Sequence, residues 1–229
     1  MSTTLVEELS LARHLLAFTL DPSRLDRLER LADVACNLED PRPSREVVEH
    51  ALRDAGYRDL AGRGYRPPLP DIDRLAALAP GTLGHAFAAH MRAARLQIGF
   101  YRPTRSVHPG VGYLAERQVR THDIFHVLTG YDTTPHGELA LQAFSIAQLP
   151  SPINVAILVA GLVHLLRKAP STLGVAMDGI ASAHSCGHSA RFLLGLPWEE
   201  QWECGLDALR RDVRLPANGH DAFGTRPAA

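Results

Sequence analysis

Apolar residues recur through most of this chain at helical spacing, and nowhere do they alternate strictly over six residues between hairpin turns. A half-buried strand needs that alternation, because its successive side chains leave opposite faces of a sheet. A helix instead needs a period near 3.6 to gather its apolar side chains into one stripe. The sequence therefore predicts an all-α protein, a multi-helix bundle. Leu25, Leu28, Leu31 and Val34 show the pattern within a helix over residues 23–37 that follows the Asp21-Pro22-Ser23 turn. No period of 20–50 residues marks a repeat array.

The same reading predicts helices over residues 5–20, 71–78, 82–98, 111–129, 138–149, 152–168, 172–194 and 197–213. Another is expected over Val47, Val48 and Leu52, with Ser44 as its N-cap. Residues 1–55 form an N-terminal helical part, and 56–70, rich in Gly, Arg and Pro without an apolar period, an irregular connector. Residues 71–217 form the main bundle and 218–229 a loose tail, the whole being one structural domain.

Charge and cysteine content narrow the function. Lys plus Arg (24) nearly cancels Asp plus Glu (25), which leaves no basic field for nucleic acid. Cys36, Cys186 and Cys204 are odd in number and form no CxxC pair, as in a reducing compartment. Glu7 and Glu8 stand where a secretory signal carries lysines, and the start lacks the Arg-rich composition of a transit peptide. A cytoplasmic location is expected. The most apolar run, Ile153 to Leu166, has 14 residues, whereas a membrane span needs roughly 20. It reads either as a helix buried on nearly all sides or as the wall of an apolar tunnel or a face touching lipid, with Gly161 leaving room beside it.

The chemistry concentrates in His122-Asp123-Ile124-Phe125-His126. Imidazoles four residues apart on a helix leave the same face, roughly 5–6 Å apart at Cβ, and can converge on one ion through bonds of about 2.0–2.1 Å. Asp123, three residues before His126, reaches the same side. Gly130 is a natural C-cap, and Tyr131 to His136 read as a polar turn. A helical hairpin there returns Glu138 toward His126, giving two imidazoles and two carboxylates. The pair His184 and His188 has the same spacing but no acidic residue between or closely after it, and Gly187 weakens the helix there, so these are expected to be polar residues that serve helix packing.

The string HDIFHVLTGYDTTPHGE resembles the metal motif of the coenzyme Q (ubiquinone) biosynthesis protein 4 family: H-D-x-x-H, eleven residues, then E. The continuation LALQAFSIAQLP, the entry Leu78-Ala79-Pro80-Gly81-Thr82-Leu83-Gly84 with Phe87, and Trp198-Glu199 with Arg210-Arg211 look like that family too. The likeness runs from about residue 20 to 215. It departs at Ala79, and the Ala183 to His188 stretch has no counterpart in it.

The resemblance implies an all-helical homodimer, peripheral to the inner membrane, with an apolar channel for an isoprenoid tail. It implies metal ligation by His122, Asp123, His126 and Glu138, usually described as zinc. It further implies ubiquinone biosynthesis alongside other coenzyme Q proteins, with a metal-dependent replacement of the C1 carboxylate of a polyprenyl hydroxybenzoate by hydroxyl. Asp123 is then the expected catalytic residue. Zinc has no accessible redox change; iron or manganese suits such a ligand set equally. Arg117 and Arg120 are candidates for binding the substrate's headgroup, or for facing solvent and pairing with Glu116. Tyr113 is expected to pack, His136 to be a solvated turn residue, and Trp198 and Trp202 to anchor the last helix. Two other functions compete: a scaffold that binds isoprenoid lipid without catalysis, and, more distantly, a metallohydrolase, for which Asp123 is one methylene shorter than the base of an H-E-x-x-H site.

Overall fold

The computed structural model describes residues 3–20, 25–37, 42–96, 106 and 110–216. Helices account for most of these residues: α1 (Thr3–Leu20), α2 (Leu25–Cys36), α3 (Arg42–Ala51), α4 (Ala55–Gly62), α5 (Ile72–Ala76), α6 (Leu83–Ala93), α7 (Val111–Thr129), α8 (Pro135–Gln148), α9 (Pro152–Lys168), α10 (Leu173–Ser189) and α11 (Leu206–Asp212). There is no strand among the described residues, and one isolated bridge joins Thr82 to Gly205. The fold is the all-α bundle that the periodicity requires. The tail expected over 218–229 lies outside the described residues.

The main core joins distant parts of the chain: Val47, Tyr57, Phe87, Leu114, Leu128, Phe144, Ala183 and Trp198 belong to one buried cluster. Helices α8 and α10 make the closest pair. Gly187 permits this, since a Cβ there would stand 2.5 Å from the Phe144 carbonyl oxygen. A smaller apolar cluster of Phe18, Leu31 and Ala160 ties α1 and α2 to α9.

Several boundaries differ from expectation. The stretch read as irregular opens with α4, for which Asp54 accepts a hydrogen bond from Tyr57 N–H. Tyr57 and Leu60, three residues apart, bury the helix against the core. Residue 42 already begins α3, so Ser44 lies inside its first turn and is not an N-cap. Pro135 starts α8, three residues before the expected position, because the Thr134 hydroxyl caps it by accepting from Gly137 N–H. The predicted helix 172–194 stops at Ser189.

The predicted helix over 197–213 is not continuous: a 3₁₀ turn, Trp198–Glu200, precedes a loop and then α11. The loop's backbone is used elsewhere. The carbonyls of Trp202 and Cys204 accept from the N–H groups of Gly84 and Leu83, and Leu206 N–H donates to the Gly81 carbonyl. The first turn of α6 thus finds tertiary acceptors for donors that a helix start leaves free. Trp198 is fully buried and donates to the Leu193 carbonyl, while Trp202 packs on Phe87 at 5.1 Å.

Two buried arginines hold α7 to this C-terminal segment. The Arg117 guanidinium pairs with Glu199 at 2.6 Å and donates to the Leu194 and Leu196 carbonyls. In return Arg210 donates to the Val127 and Leu128 carbonyls at 2.9 Å each, near the end of α7. Positive charge on those otherwise free acceptors also complements the helix dipole. Removing one member of a buried pair strands the other, at a cost of roughly 3–5 kcal/mol. Arg117→Ala should therefore lower the unfolding free energy by about that amount in denaturant titrations. Arg120→Ala, at a partly exposed pair with Glu116, should cost about 1 kcal/mol or less.

Candidate metal centre

Helix α7 ends because Gly130 adopts φ +82°, with its N–H donating to the His126 carbonyl at 2.8 Å. That left-handed turn is open to glycine at little cost. It aims the Tyr131 carbonyl back at the helix, where it accepts from His126 Nδ1 at 2.9 Å. A carbonyl can only accept, so Nδ1 carries a proton, and in the neutral ring Nε2 is the nitrogen that presents a lone pair. Tyr131 itself is buried and is no part of a polar turn.

Across the hairpin Glu138 meets both imidazoles. Its Oε1 lies 3.2 Å from His126 Nε2 and its Oε2 3.6 Å from His122 Nε2. His122 Nδ1 stands 3.3 Å from Asp123 Oδ1. His126 is buried, and its Nε2 makes no hydrogen bond. A bare lone pair so close to a carboxylate oxygen is unfavourable, since both groups are acceptors, so a proton or a metal ion belongs between them. One nitrogen or oxygen from each of His122, Asp123 and His126 falls within 4.8 Å of the others. These three residues could hold a metal ion; Glu138, which meets both imidazoles across the hairpin, lies outside that group. Among the described residues they are the one such group.

Burial opposes charge on His122, but its contacts with Asp123 and Glu138 outweigh this and raise its pKa to about 10. Burial likewise opposes ionisation of Glu138 and Asp123. The neighbouring imidazoles overcome that, holding Asp123 below, and Glu138 well below, the usual carboxylate range.

The arginines part company at this site. Arg117 points away from the centre into its buried pair with Glu199. Arg120 lines the cavity described below, bonded to Glu116 at 3.1 Å and to the Pro67 carbonyl at 2.8 Å. Tyr113 packs on Tyr57 and donates to the Tyr65 carbonyl. His136 lies in the first turn of α8. The His184 and His188 rings are 4.6 Å apart on exposed helix surface.

One neighbour escaped the sequence reading. His90, on α6, stacks on His126 with ring centres 5.3 Å apart, and its Nε2 is 4.0 Å from Asp123 Oδ1. The other histidine of α6, His85, stands five residues away, which is no ligand spacing, so nothing in the pattern could have marked His90.

The centre opens into a cavity of about 1240 Å³, lined by His122, Asp123 and Glu138 at one place and by Phe18, Leu28, Met91, Leu114, Ile153 and Ile157 elsewhere. Helix α9 is not buried on nearly all sides: Ile153, Ile157 and Gly161 face the cavity, while Val155, Val159 and Leu166 are exposed. Gly161 lines the cavity, while on the side that a Cβ would take it meets Leu139 Cδ2 at 2.6 Å. Among the described residues no helix is long and apolar enough to cross a membrane.

Residues 68–218 match the family described as coenzyme Q (ubiquinone) biosynthesis protein Coq4. The chain is 27% identical over 177 residues to the mitochondrial ubiquinone biosynthesis protein COQ4 homolog of Xenopus laevis, covering 74% of this chain and 62% of that one. It is 31% identical over 176 residues to mitochondrial ubiquinone biosynthesis protein COQ4 of Eremothecium gossypii, covering 72% of this chain and 54% of that one. The match thus spans little more than half the length of these relatives. A crystal structure of a putative ubiquinone biosynthesis protein from Nostoc punctiforme superposes with a TM-score of 0.78 at 27% identity, covering 89% of this chain and 96% of that one.

If the ion displaces a proton from His122, its affinity should climb about tenfold per pH unit between pH 6 and 9. Below the raised pKa the imidazole is protonated and must release that proton to coordinate; above it nothing is displaced. Competition with a chelator across that range measures the slope, and a flat profile counts against the site.

Proposed function

Because the chain belongs to the coenzyme Q (ubiquinone) biosynthesis protein Coq4 family, we propose that it is a ubiquinone biosynthesis factor that binds a divalent metal ion and a prenylated ring intermediate. The observation that carries this reading is the continuity of the polar cluster with the apolar cavity. A ligand with a carboxylate or phenolate head and a long hydrocarbon tail matches that polarity end to end. His122, Asp123, His126 and Glu138 would hold the ion. When bound, it polarises oxygens of the ligand's head as a Lewis acid, and iron or manganese would add redox capacity.

The chain's own groups supply the rest. The apolar lining excludes water from the tail and orients the ring toward the cluster. Arg120, facing the cavity, can neutralise a carboxylate that arrives there. The reaction we assign is replacement of the ring carboxylate at C1 by hydroxyl: the C1–carboxylate bond breaks, carbon dioxide leaves and a C1–O bond forms. The hydroxyl oxygen comes from water, and the two electrons, with the accompanying protons, pass to an acceptor such as dioxygen, which leaves as hydrogen peroxide. Arg117 is dropped as a substrate-binding residue, because its guanidinium is committed to Glu199 and two carbonyls. Asp123 lines the cavity at half burial and remains the proposed catalytic residue.

Homodimerisation, work beside other coenzyme Q biosynthesis proteins and peripheral attachment to the inner membrane belong to the same proposal. The exposed apolar residues Val155, Val159 and Leu166 on α9, with Val175 and Met177 on α10, support the last of these.

A scaffold is the second reading, favoured by the ligand count, since four protein ligands are what closed structural zinc sites use. Two measurements separate the readings. Purified protein should hold about one divalent ion per chain by elemental analysis; His126→Ala should remove most of it, while His184→Ala should leave it in place. Metal-loaded wild type should release carbon dioxide from a short-chain prenyl hydroxybenzoate in air. Asp123→Asn, compared at equal stability, should slow that release by roughly 10–100-fold. No release by the loaded wild type would favour the scaffold.

A further inference from the structure

His90 reaches the centre from an element that carries none of the motif. Its position follows from the start of α6, which the carbonyls of Trp202 and Cys204 hold in place, two turns before the imidazole. The ring stacks on His126 with planes 24° apart, and its buried Nε2 makes no hydrogen bond. The nearest charged atom recorded for that nitrogen is Asp123 Oδ1 at 4.0 Å. A buried N–H left unmade costs about 1–3 kcal/mol, so a small rotation of either side chain toward a charge-assisted bond is favoured.

We infer that His90 is a positioning residue of the metal centre, donating from Nε2 to the Asp123 carboxylate and so fixing which of its oxygens faces the ion. The inference rests on the metal reading above. His90 touches the proposed ligands Asp123 and His126 and is not itself a ligand. Metal-ligating carboxylates need such outer donors, because a carboxylate free to rotate gives up geometry each time it binds. Stacking on His126 serves the same end by holding that ring's plane.

The test is Zn²⁺ affinity of the full chain, by chelator competition, for wild type, His90→Phe, Asp123→Asn and the double variant. Phenylalanine keeps a ring against His126 and removes the donor. We expect His90→Phe alone to weaken Zn²⁺ binding by roughly 10–100-fold. With Asp123 already changed to Asn, it should matter by less than about twofold, because the two residues act as one unit. His90→Gln, which restores an N–H at similar reach, should recover most of the loss. Should the phenyl ring prevent folding, His90→Met removes the donor with a more adaptable side chain and is read against the same outcomes. An unchanged affinity overturns the inference; so does an equal loss in both Asp123 backgrounds, which would make His90 a ligand or a packing residue. A wild type that binds no Zn²⁺ overturns the metal reading itself, and this inference with it.

Discussion

The position of α7 depends on two guanidinium groups that reach in opposite directions along the chain. Arg117 leaves the helix to grip the segment near residue 195, and Arg210 returns from α11 to grip the helix end. Helix α7 carries His122, Asp123 and His126, so its depth and rotation set the centre. Apolar packing fixes such things loosely, because a helix can slide along a smooth groove. Charged bonds to named carbonyls fix them to a fraction of an ångström. The C-terminal segment, which carries none of the proposed ligands, is thereby part of the centre's framework. It also locks the start of α6, and so places His90.

What the sequence made legible follows from how local each cause is. Helix α7 was expected over 111–129 and is found there, because Gly110 and Gly130 bound it and both adopt positive φ. The bounds of α9 were equally clear, from Pro152 at its start and Ala169-Pro170 after its end. The hairpin that returns Glu138 to His126 could be inferred from a C-cap and a short turn. Two of the misses turned on an interaction distant in sequence. Nothing between residues 197 and 213 reveals that its carbonyls bond α6, so a continuous helix was the local expectation. Arg117 read as a headgroup ligand because spacing places it on the motif's helix, whereas Glu199, 82 residues away, claims it.

The cavity follows a related rule. Its walls come from α1, α2, α3, α6, α7, α8 and α9, so no single stretch of sequence announces it. The apolar run in α9 was visible, but its meaning was not. A run with enough hydrophobicity for burial on all sides instead divides its apolar residues between an internal cavity and the outer surface. Gly161, read as leaving space, is the point where Leu139 of α8 comes close.

Gly130 has a consequence beyond ending a helix. Its positive φ turns the next carbonyl onto His126 Nδ1, and that contact decides which ring nitrogen keeps its proton. Tautomer choice at a buried imidazole is set by the partner of its other nitrogen, a carboxylate in some proteins and a backbone carbonyl in others. Here the selector is the main chain, an element that substitution of side chains cannot recharge or remove. The nitrogen that His126 leaves free toward Glu138 is thus set by the same chain reversal that brings α8 alongside α7, so the direction of the hairpin and the orientation of this ring have one cause.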